Sequence, residues 1–489
     1  MDRRTFLKGS LAGIALSQLP VAFFGSAAQA AGISQRAVVN LTLPGGPDMR
    51  HLLPPAFDSN ESSFGFQYWR AMRTAHRIGN TADAFRERWQ TAYLPVRTTA
   101  DFDTGGVSFG VLKECGWLRR QIEAGNVAIV NNVVGSRSRD HAHSLLALDA
   151  GDHQASANAF QSSGWGGRLA QACGANARVV AMTTAPRRFC LTDGPNGRLA
   201  ADYAISVRDS RNLGLYDHRD DLEERQRWGR NQIARSAASY YAAMGEHIEA
   251  SSPFHRIVQH ESAIRGFSGD VNRVLAGKPM PESLLALQSG DTALQSGYFA
   301  RQLASLYDCA AHVGSVLNMR AGSLEYGGWD THREQRNRAE PQFADIFGDG
   351  RGLDTLMSEL EQVNPALKQN LTIVIGGEFG RQIRSNGDHG TDHGRGNTML
   401  VIGDRVRGGI YGDMFPASEL DLLDPRINDP NSTRAPHRSP DIEGRTAIEH
   451  LYGAICDWVQ PGTREVVFPQ VGGIDLLEPG LGLDSLFLS

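Results

Sequence analysis

Residues 37–48 read AVVNLTLPGGPD, a short run rich in β-branched residues that ends in a Pro- and Gly-rich turn and an aspartate. Such a run predicts a buried β-strand that leads into a loop. Four more runs have the same character and are also predicted as strands: Val127–Val134, Arg178–Met182, Leu371–Ile375 and Thr398–Ile402.

Helical patterns separate these strands. Strands that alternate with helices predict an α/β fold, with a largely parallel sheet covered by helices on both faces. Residues 31–207 and 320–489 are expected to form this domain, and 208–319, which contain no convincing strand, a helical insertion or cap. A polar, Pro-rich stretch at 424–441 predicts a long surface loop. The predicted helices are Val111–Ala124, Asp221–Ala250, Ser283–Met319 and Gly352–Val363.

The N-terminus has the pattern of a twin-arginine export signal over residues 1–30. Arg3 and Arg4 precede an apolar run, and Ala28-Gln29-Ala30 matches a cleavage site. A buried N-terminal helix is the alternative. The signal predicts a periplasmic or secreted protein that uses the twin-arginine translocation machinery. No later segment has the ~18 uninterrupted apolar residues of a membrane span, so no stable span is expected after cleavage.

Charge and cysteine content exclude two classes of protein. The net charge is −5, and removing the signal (three basic residues and one acidic, +2) leaves −7, which argues against nucleic-acid binding through phosphate contacts. The five cysteines form no Cys-x-x-Cys, so a zinc-thiolate site is not expected. Cys173 and Cys190 are close enough in sequence for a disulfide, and free buried thiols are the alternative.

Polar residues cluster directly after the predicted strands. In open α/β sheets the loops at the carboxyl ends of the strands converge on a crevice, where active sites form. Asp48 follows the first strand, and the Asp-x-His pair Asp330 and His332 can place two ligands on one cation. The other segments are Ser136–Ser144 (SRSRDHAHS), Gly376–Arg381 (GGEFGR) and Gly390–Asn397 (GTDHGRGN).

Carboxylates and imidazoles hold divalent cations without thiolates, and several of them from separate strands predict a hydrolytic site with one or two metal ions. The alternative is local. An aspartate after a strand often caps a helix or starts a turn, and Asp392-His393 could be a turn with a surface histidine.

Several of these motifs resemble the domain-of-unknown-function family 1501. That family consists of twin-arginine-exported proteins and is related to the alkaline phosphatase and sulfatase superfamily. The likeness runs from about Val38 to Trp458. The motifs that carry it are Pro44–Asp48 (PGGPD), Gly164–Arg168 (GWGGR), Gly327–His332 (GGWDTH), Gly377–Arg381 (GEFGR), Gly390–Asn397 and Arg407–Gly412 (RGGIYG).

The resemblance implies an alkaline-phosphatase-like fold and a divalent cofactor, either Zn, Mn, Mg or Ca. It implies that Asp48 binds one metal and that Asp330, His332 and His393 bind the other. Glu378 stands where the superfamily has the aspartate of an Asp-His pair, and is expected as a further ligand.

Two positions depart from the family pattern. Phe379 replaces the histidine of that pair, and Asp140 replaces the serine of an Arg-Ser-His motif at a helix start. Asp140 would repel an anionic ester unless it binds metal. Ser138, Asp140 and His141 are therefore the catalytic candidates, with either Ser138 or a metal-bound water as the attacking group.

Two arginines flank the predicted ligands. Arg381 and Arg395 could clamp a phosphate or sulfate bidentately. The alternative is that they form salt bridges to Glu378 or Asp392.

The sequence thus predicts an exported metal-dependent hydrolase of a phosphate or sulfate ester, either a small molecule or a polymer. The alternative is a catalytically inactive exported binding or assembly protein on the same fold. A sulfatase with a modified cysteine or serine nucleophile is disfavoured, because 136–144 contains no cysteine.

Overall fold

A nine-stranded mixed sheet organises the chain in this computed structural model, which describes residues 32–97, 106–156, 158–159, 162–194, 198–211, 268–423 and 440–488, and five single positions between 236 and 247. The strands are β1 (Ala37–Thr42), β2 (Tyr93–Pro95), β3 (Gly110–Leu112), β4 (Val127–Val134), β5 (Arg178–Ala181), β6 (Thr192–Asp193), β7 (Leu199–Ala200), β8 (Ala204–Ser206), β9 (Met319–Glu325), β10 (Leu371–Gly376), β11 (Gly380–Arg381), β12 (His393–Gly394), β13 (Asn397–Ile402), β14 (Gly409–Tyr411) and β15 (Thr446–Ala447).

The helices lie between and around these strands. They are α1 (Met49–Leu52), α2 (Phe64–Ala71), α3 (Ala82–Ala92), α4 (Gly116–Glu123), α5 (His141–Ala150), α6 (Trp165–Ala172), α7 (Glu282–Ala286), α8 (Gly297–Asp308), α9 (Gly314–Leu317), α10 (Gln335–Phe347), α11 (Gly352–Val363), α12 (Pro365–Gln369), α13 (Ala417–Leu423), α14 (Ile448–Val459) and α15 (Arg464–Val467).

The strand order of the main sheet is β14-β4-β13-β10-β1-β9-β5-β8, with β15 also paired to β4. β13 is antiparallel to both of its neighbours, and the other neighbouring pairs are parallel. The predicted α/β fold with a mostly parallel sheet is therefore confirmed. Because β1, β4, β9 and β10 run in the same direction, the loops that follow them meet at one edge of the sheet.

Both faces of the sheet are buried. Along β1, Val39 and Leu41 belong to one hydrophobic cluster, whereas Val38 belongs to a second cluster on the opposite face. The first cluster includes side chains of α8 and α11, and the second includes those of α14. Helices thus cover both faces, as the continuous apolar runs of the strands predict.

The five strands predicted from sequence all form, and their ends agree to within one residue. Helix Gly352–Val363 also forms as predicted. Other helical patterns are broken: Val111 is part of a strand paired with β2, and Ser283–Met319 divides into α7, α8 and α9, with one turn of π-helix between the last two.

Strand β9 was not predicted, because Arg320, Gly322 and Ser323 interrupt its apolar pattern. All three are nevertheless buried, and β9 lies at the centre of the sheet beside β1.

The segment expected to be a helical insertion is only partly described. Its described part from 268 to 317 is mainly helical, and Phe299, Leu303 and Leu306 of α8 are buried in the same cluster as the sheet. These helices are thus part of the layer that covers the sheet. Residues 1–31, 424–439 and most of 221–250 lie outside the described residues, so the predicted signal, long loop and helix at those positions have no structural description.

The five cysteines are free thiols, so Cys173 and Cys190 form no disulfide. All of them except Cys173 are buried. Within the part of the chain that the structure describes, no helix combines the length and apolarity needed to cross a bilayer.

Candidate metal site

Three loops that follow neighbouring parallel strands build the candidate site. The loop after β1 carries Gly45, the loop after β9 carries Asp330, and the loop after β10 carries Glu378. The short strands β11 and β12, of two residues each, pair Arg381 with His393 and bring the chain back to the loops of the candidate site. Gly45 has a φ of +114°, and a Cβ there would collide with the backbone of Asp330, so the close approach of the first two loops requires glycine.

Arg381 holds these loops together from below the surface. Its side chain is 1% exposed, and its guanidinium donates to four backbone carbonyls and to Asp330 Oδ1 at 3.1 Å. The donors of this side chain are therefore used within the protein, and Arg381 serves as a scaffold of the loops and not as a clamp for a bound anion. The carbonyls are those of Gly45, Gly46 (2.6 Å), Trp329 (2.8 Å) and Thr391 (2.8 Å).

Three predicted ligands meet at one point. His332 Nε2 lies 2.9 Å from His393 Nε2 and 3.1 Å from Asp330 Oδ1, and His393 Nε2 lies 3.0 Å from the same oxygen. His332 and Asp330 are each somewhat less than half exposed, so the cluster opens to solvent.

Hydrogen bonds on the far side of each ring determine which nitrogen faces the cluster. His332 Nδ1 lies 2.8 Å from the carboxylate of Asp392, and His393 Nδ1 lies 2.9 Å from the carbonyl oxygen of Arg139. Both partners can only accept, so we assign the ring protons to Nδ1. In the neutral rings the Nε2 atoms then present lone pairs to each other and to Asp330. This is the arrangement that orients histidines towards a metal ion.

The pKa values of Asp330 and His393 are both lowered, so at neutral pH these side chains are free of the protons that would compete with a cation. Without a bound cation, partial burial would raise the pKa of Asp330, but a hydrogen bond from His393 when its Nε2 is protonated, and the charges of Arg381 and of protonated His332, outweigh it and lower this pKa to about 2. Burial also lowers the pKa of His393 below its usual 6.5, and the bond to Asp330 opposes this only in part. At neutral pH the site therefore has an ionised carboxylate beside a neutral imidazole.

The spacing of the three ligand atoms fits a single ion. Metal–ligand bonds of about 2.1 Å separate adjacent ligands by about 3.0 Å in an octahedral site and about 3.4 Å in a tetrahedral one. The observed separations of 2.9–3.1 Å lie close to the first value. The residues present therefore fit a divalent cation held by two imidazoles and one carboxylate on one face.

His141 forms the wall of the site opposite Asp330. Its Nδ1 lies 2.8 Å from Glu378 Oε1, and its Nε2 lies 3.5 Å from Asp330 Oδ2. Glu378 is fully buried and also accepts the N–H of Gly45 at 2.9 and 3.1 Å. Glu378, predicted as a ligand, thus orients His141, which itself lies within reach of the cation position together with Asp330 and His393.

Phe379, which departs from the family pattern, is buried beneath the histidines. Its ring centroid lies 4.2 Å from that of His393 and 5.1 Å from that of His141. It therefore supports both imidazoles by packing.

Asp48 lies in the loop after β1 but has a local role. It is the N-cap of α1, where Oδ1 accepts the N–H groups of Arg50 (3.1 Å) and His51 (3.2 Å). Its Oδ2 accepts from Gln335 at 2.8 Å. Both oxygens are therefore occupied by protein donors, in agreement with the helix-cap alternative.

The predicted nucleophile segment also has a local structure. Asp140 is the N-cap of α5 and accepts the N–H of His143 at 2.9 Å. Ser138 Oγ accepts the N–H of Asp140 at 3.0 Å. Among the hydrogen bonds of the described residues, none joins Ser138 Oγ to a histidine that could act as its base.

Arg395 lies at the rim of the site. Its side chain is 61% exposed, and its Nε donates to Asp441 at 3.1 Å. Arg139 binds the same carboxylate oxygen from the other side. Unlike Arg381, this pair presents guanidinium groups to solvent beside His393.

Sequence reasoning missed three contributors to the site. Asp392 and the carbonyl of Arg139 orient the two histidines, and Gln335 links Asp48 to Thr391. Asp392 had a signal, because it directly precedes His393 in the same motif. Gln335 and the carbonyl had none, since their roles depend on tertiary packing.

The comparisons with known proteins give a family and no activity. A sequence model of a family described as "Protein of unknown function (DUF1501)" matches residues 119–425, which is more than half of the 489 residues and includes the loops of Asp330, Glu378 and His393. No curated protein and no solved structure matches the chain.

Proposed function

This chain belongs to the DUF1501 family, and from that premise we propose that it is a metal-dependent hydrolase of a phosphate or sulfate ester, related to the alkaline phosphatase and sulfatase superfamily and exported by the twin-arginine route. One observation carries the proposal. The Nε2 atoms of His332 and His393 and Oδ1 of Asp330 lie 2.9–3.1 Å apart, with each ring oriented by an acceptor on its Nδ1.

Asp330, His332 and His393 would hold the cation. Two imidazoles with one carboxylate suit Zn²⁺ best; Mn²⁺ is harder but accepts the carboxylate and water together with imidazole, whereas Mg²⁺ and Ca²⁺ prefer all-oxygen sites. A divalent ion in this position would supply Lewis-acid stabilisation of the charge that develops on the ester oxygens.

His141 and Glu378 would handle the proton. The Nε2 lone pair of His141 faces the site, while its Nδ1–H is held by a buried carboxylate that can stabilise the imidazolium form. In the reaction a water O–H bond breaks, its proton moves to His141, and the water oxygen forms the new bond to phosphorus or sulfur. The bond to the ester oxygen breaks, and His141 returns the proton to the departing alkoxide.

Water is the preferred nucleophile because the nearby side-chain oxygens are committed. Ser138 Oγ accepts a backbone N–H, and Asp140 caps α5. Arg139 and Arg395 at the rim carry the exposed positive charge that would attract an anionic ester, although both share Asp441.

The test is hydrolysis of p-nitrophenyl phosphate and p-nitrophenyl sulfate by the mature protein loaded with Zn²⁺ or Mn²⁺. Asp330→Asn and His332→Ala should abolish turnover, and Glu378→Gln should lower kcat by about 10²–10⁴-fold. His389→Asn is the matched control, because His389 is an exposed histidine of the same loop, and asparagine tolerates its φ of +62°. Turnover that survives both ligand substitutions would refute the proposal.

A second candidate is a metal-binding exported protein without turnover. Asp140 favours it, because this exposed carboxylate lies at the start of α5, directly before His141, and would repel an anionic ester. Metal binding that His332→Ala removes, without hydrolysis of either ester, would support this candidate over the hydrolase.

A further inference from the structure

A second group of ligand-type side chains lies at the other end of α5. Asp152 and His153 follow the left-handed C-cap Gly151, and Glu449 is in the first turn of α14. One ligand atom from each of the three residues lies within 4.8 Å of the others. His141 is the first of the ten residues of α5, and this group follows the other end of that helix, about 15 Å away along its axis. It is therefore separate from the candidate site described above.

Glu449 has an unsatisfied oxygen in a fully buried position. Its Oε1 accepts both the backbone N–H of His153 (3.0 Å) and the ring Nδ1 (2.8 Å). Its Oε2 is buried and has no hydrogen-bond partner among the described residues. A buried carboxylate oxygen without a partner is energetically unfavourable, so such atoms in proteins usually have a ligand, a water or a proton.

His153 faces Glu449 with its Nδ1, which lies 2.8 Å from Oε1. With a cation bound, the ring proton would lie on Nε2, and the Nδ1 lone pair would face the ion beside the carboxylate. His153 is 1% exposed and Asp152 is half-buried, so the group is reachable from the side of Asp152.

We propose that Asp152, His153 and Glu449 form a second divalent-cation site that joins the end of α5 to the beginning of α14. Two carboxylates and one imidazole are a donor set for Zn²⁺ or Mn²⁺. The three ligand atoms lie within 4.8 Å of one another. Small side-chain movements would therefore bring each of them to about 2.1 Å from a shared ion.

The charges around the group leave room for a cation. Arg168 lies close enough to interact with Asp152 and Glu449, and its guanidinium donates to the carbonyls of Ala150, Ser163 and Val467. His450 is also nearby. When both histidines are neutral, the one guanidinium balances one of the two carboxylates and leaves a net charge of about −1. The carbonyl end of α5 and the amide end of α14 meet at this place and contribute potentials of opposite sign.

This site goes beyond the proposed hydrolase and does not rest on it. The test counts metal in purified mature protein after saturation with Zn²⁺ or Mn²⁺ and removal of excess ion. We expect two equivalents in the wild type, one in Glu449→Gln, one in His332→Ala and none in the double variant. An unchanged metal content in Glu449→Gln would overturn the second site, whereas an unchanged content in His332→Ala would overturn only the first.

Glu449→Gln changes a fully buried side chain and could misfold, so Asp152→Asn, a change at a half-buried position, provides a second test. Asparagine retains the oxygen that accepts the N–H of Gln154, so the local turn is preserved. In the His332→Ala background, Asp152→Asn should raise the Kd for Mn²⁺ at least tenfold and remove the metal-dependent rise in Tm. Glu465→Gln, an exposed substitution on α15, is the matched control and should change neither quantity. The same Kd and Tm in Asp152→Asn and its parent would also overturn the proposal.

Discussion

Replacing Arg381 by lysine distinguishes a scaffold from a substrate clamp. The guanidinium makes five contacts, four of them with backbone carbonyls of the loops that carry the site. A lysine ammonium has three donors, so Arg381→Lys leaves at least two of these five acceptors unpaired. The side chain is almost fully buried, so water cannot replace the missing donors without opening the loops.

The expected cost follows from these unpaired acceptors. Each buried acceptor that loses its donor costs about 1–3 kcal/mol, so two of them give a destabilisation of about 2–6 kcal/mol. Arg395→Lys is the matched control. Arg395 is mostly exposed and makes one ion pair with Asp441. We therefore expect Arg395→Lys to change the free energy of unfolding by less than about 0.5 kcal/mol.

Urea unfolding followed by tryptophan fluorescence measures both variants. We expect a clear fall of the midpoint in Arg381→Lys and an unchanged midpoint in Arg395→Lys. In an ester-hydrolysis assay, a clamp would show the opposite pattern, with a raised KM and normal stability. The scaffold interpretation is refuted if Arg381→Lys unfolds at the wild-type midpoint and differs only in KM.

Three further outcomes are expected. Asp48→Ala should destabilise the protein by about 1–2 kcal/mol through loss of the cap of α1 and leave the metal content unchanged, whereas reduced metal content would make Asp48 a ligand. In equilibrium dialysis, Mn²⁺ should stay bound at pH 6 and dissociate only at lower pH. The reason is that Asp330 has a pKa of about 2 and the pKa of His393 is lowered, so both ligands resist protonation. A pH midpoint of Mn²⁺ release above 7 would contradict this. Burial holds the pKa of His76 well below 6.5, so on acidification the unfolded chain takes up this proton before the folded protein does. The free energy of unfolding should therefore fall below pH 6.5 by up to about 1.4 kcal/mol per pH unit more in the wild type than in His76→Gln. Equal pH slopes of the two proteins in urea titrations would disprove this prediction.

Much of the fold could be predicted from local sequence, because buried parallel strands are continuous β-branched runs that end at glycine or proline. Leu371–Ile375 is an example, whereas Val127–Val134 was recognised from the apolar residues on both sides of Asn131 and Asn132. Strand β9 escaped this reasoning, since Arg320 and Gly322 break the pattern. The Arg320 guanidinium donates to the carbonyl of Val459, a contact that exists only in the folded chain.

The meeting of Asp330, His332 and His393 was predicted from their ligand chemistry and from the resemblance to the family, because β9, the strand before the loop of Asp330, was not predicted. The sequence could not separate ligands from the residues that orient them. Glu378 follows its strand just as a ligand would, and only the structure shows that its oxygens hold Gly45 and His141. Arg381 had the same ambiguity, because a motif does not reveal burial.

X-ray absorption at the metal edge shows directly whether His332 and His393 bind the ion. We would use Glu449→Gln loaded with Zn²⁺ or Mn²⁺, so that an ion in the proposed second site does not contribute to the signal. We expect nitrogen and oxygen ligands at about 2.0–2.2 Å with the outer-shell scattering of imidazole from His332 and His393, which is reduced in the additional variant His393→Ala. A bound ion without imidazole scattering, or a spectrum that His393→Ala does not change, would contradict it.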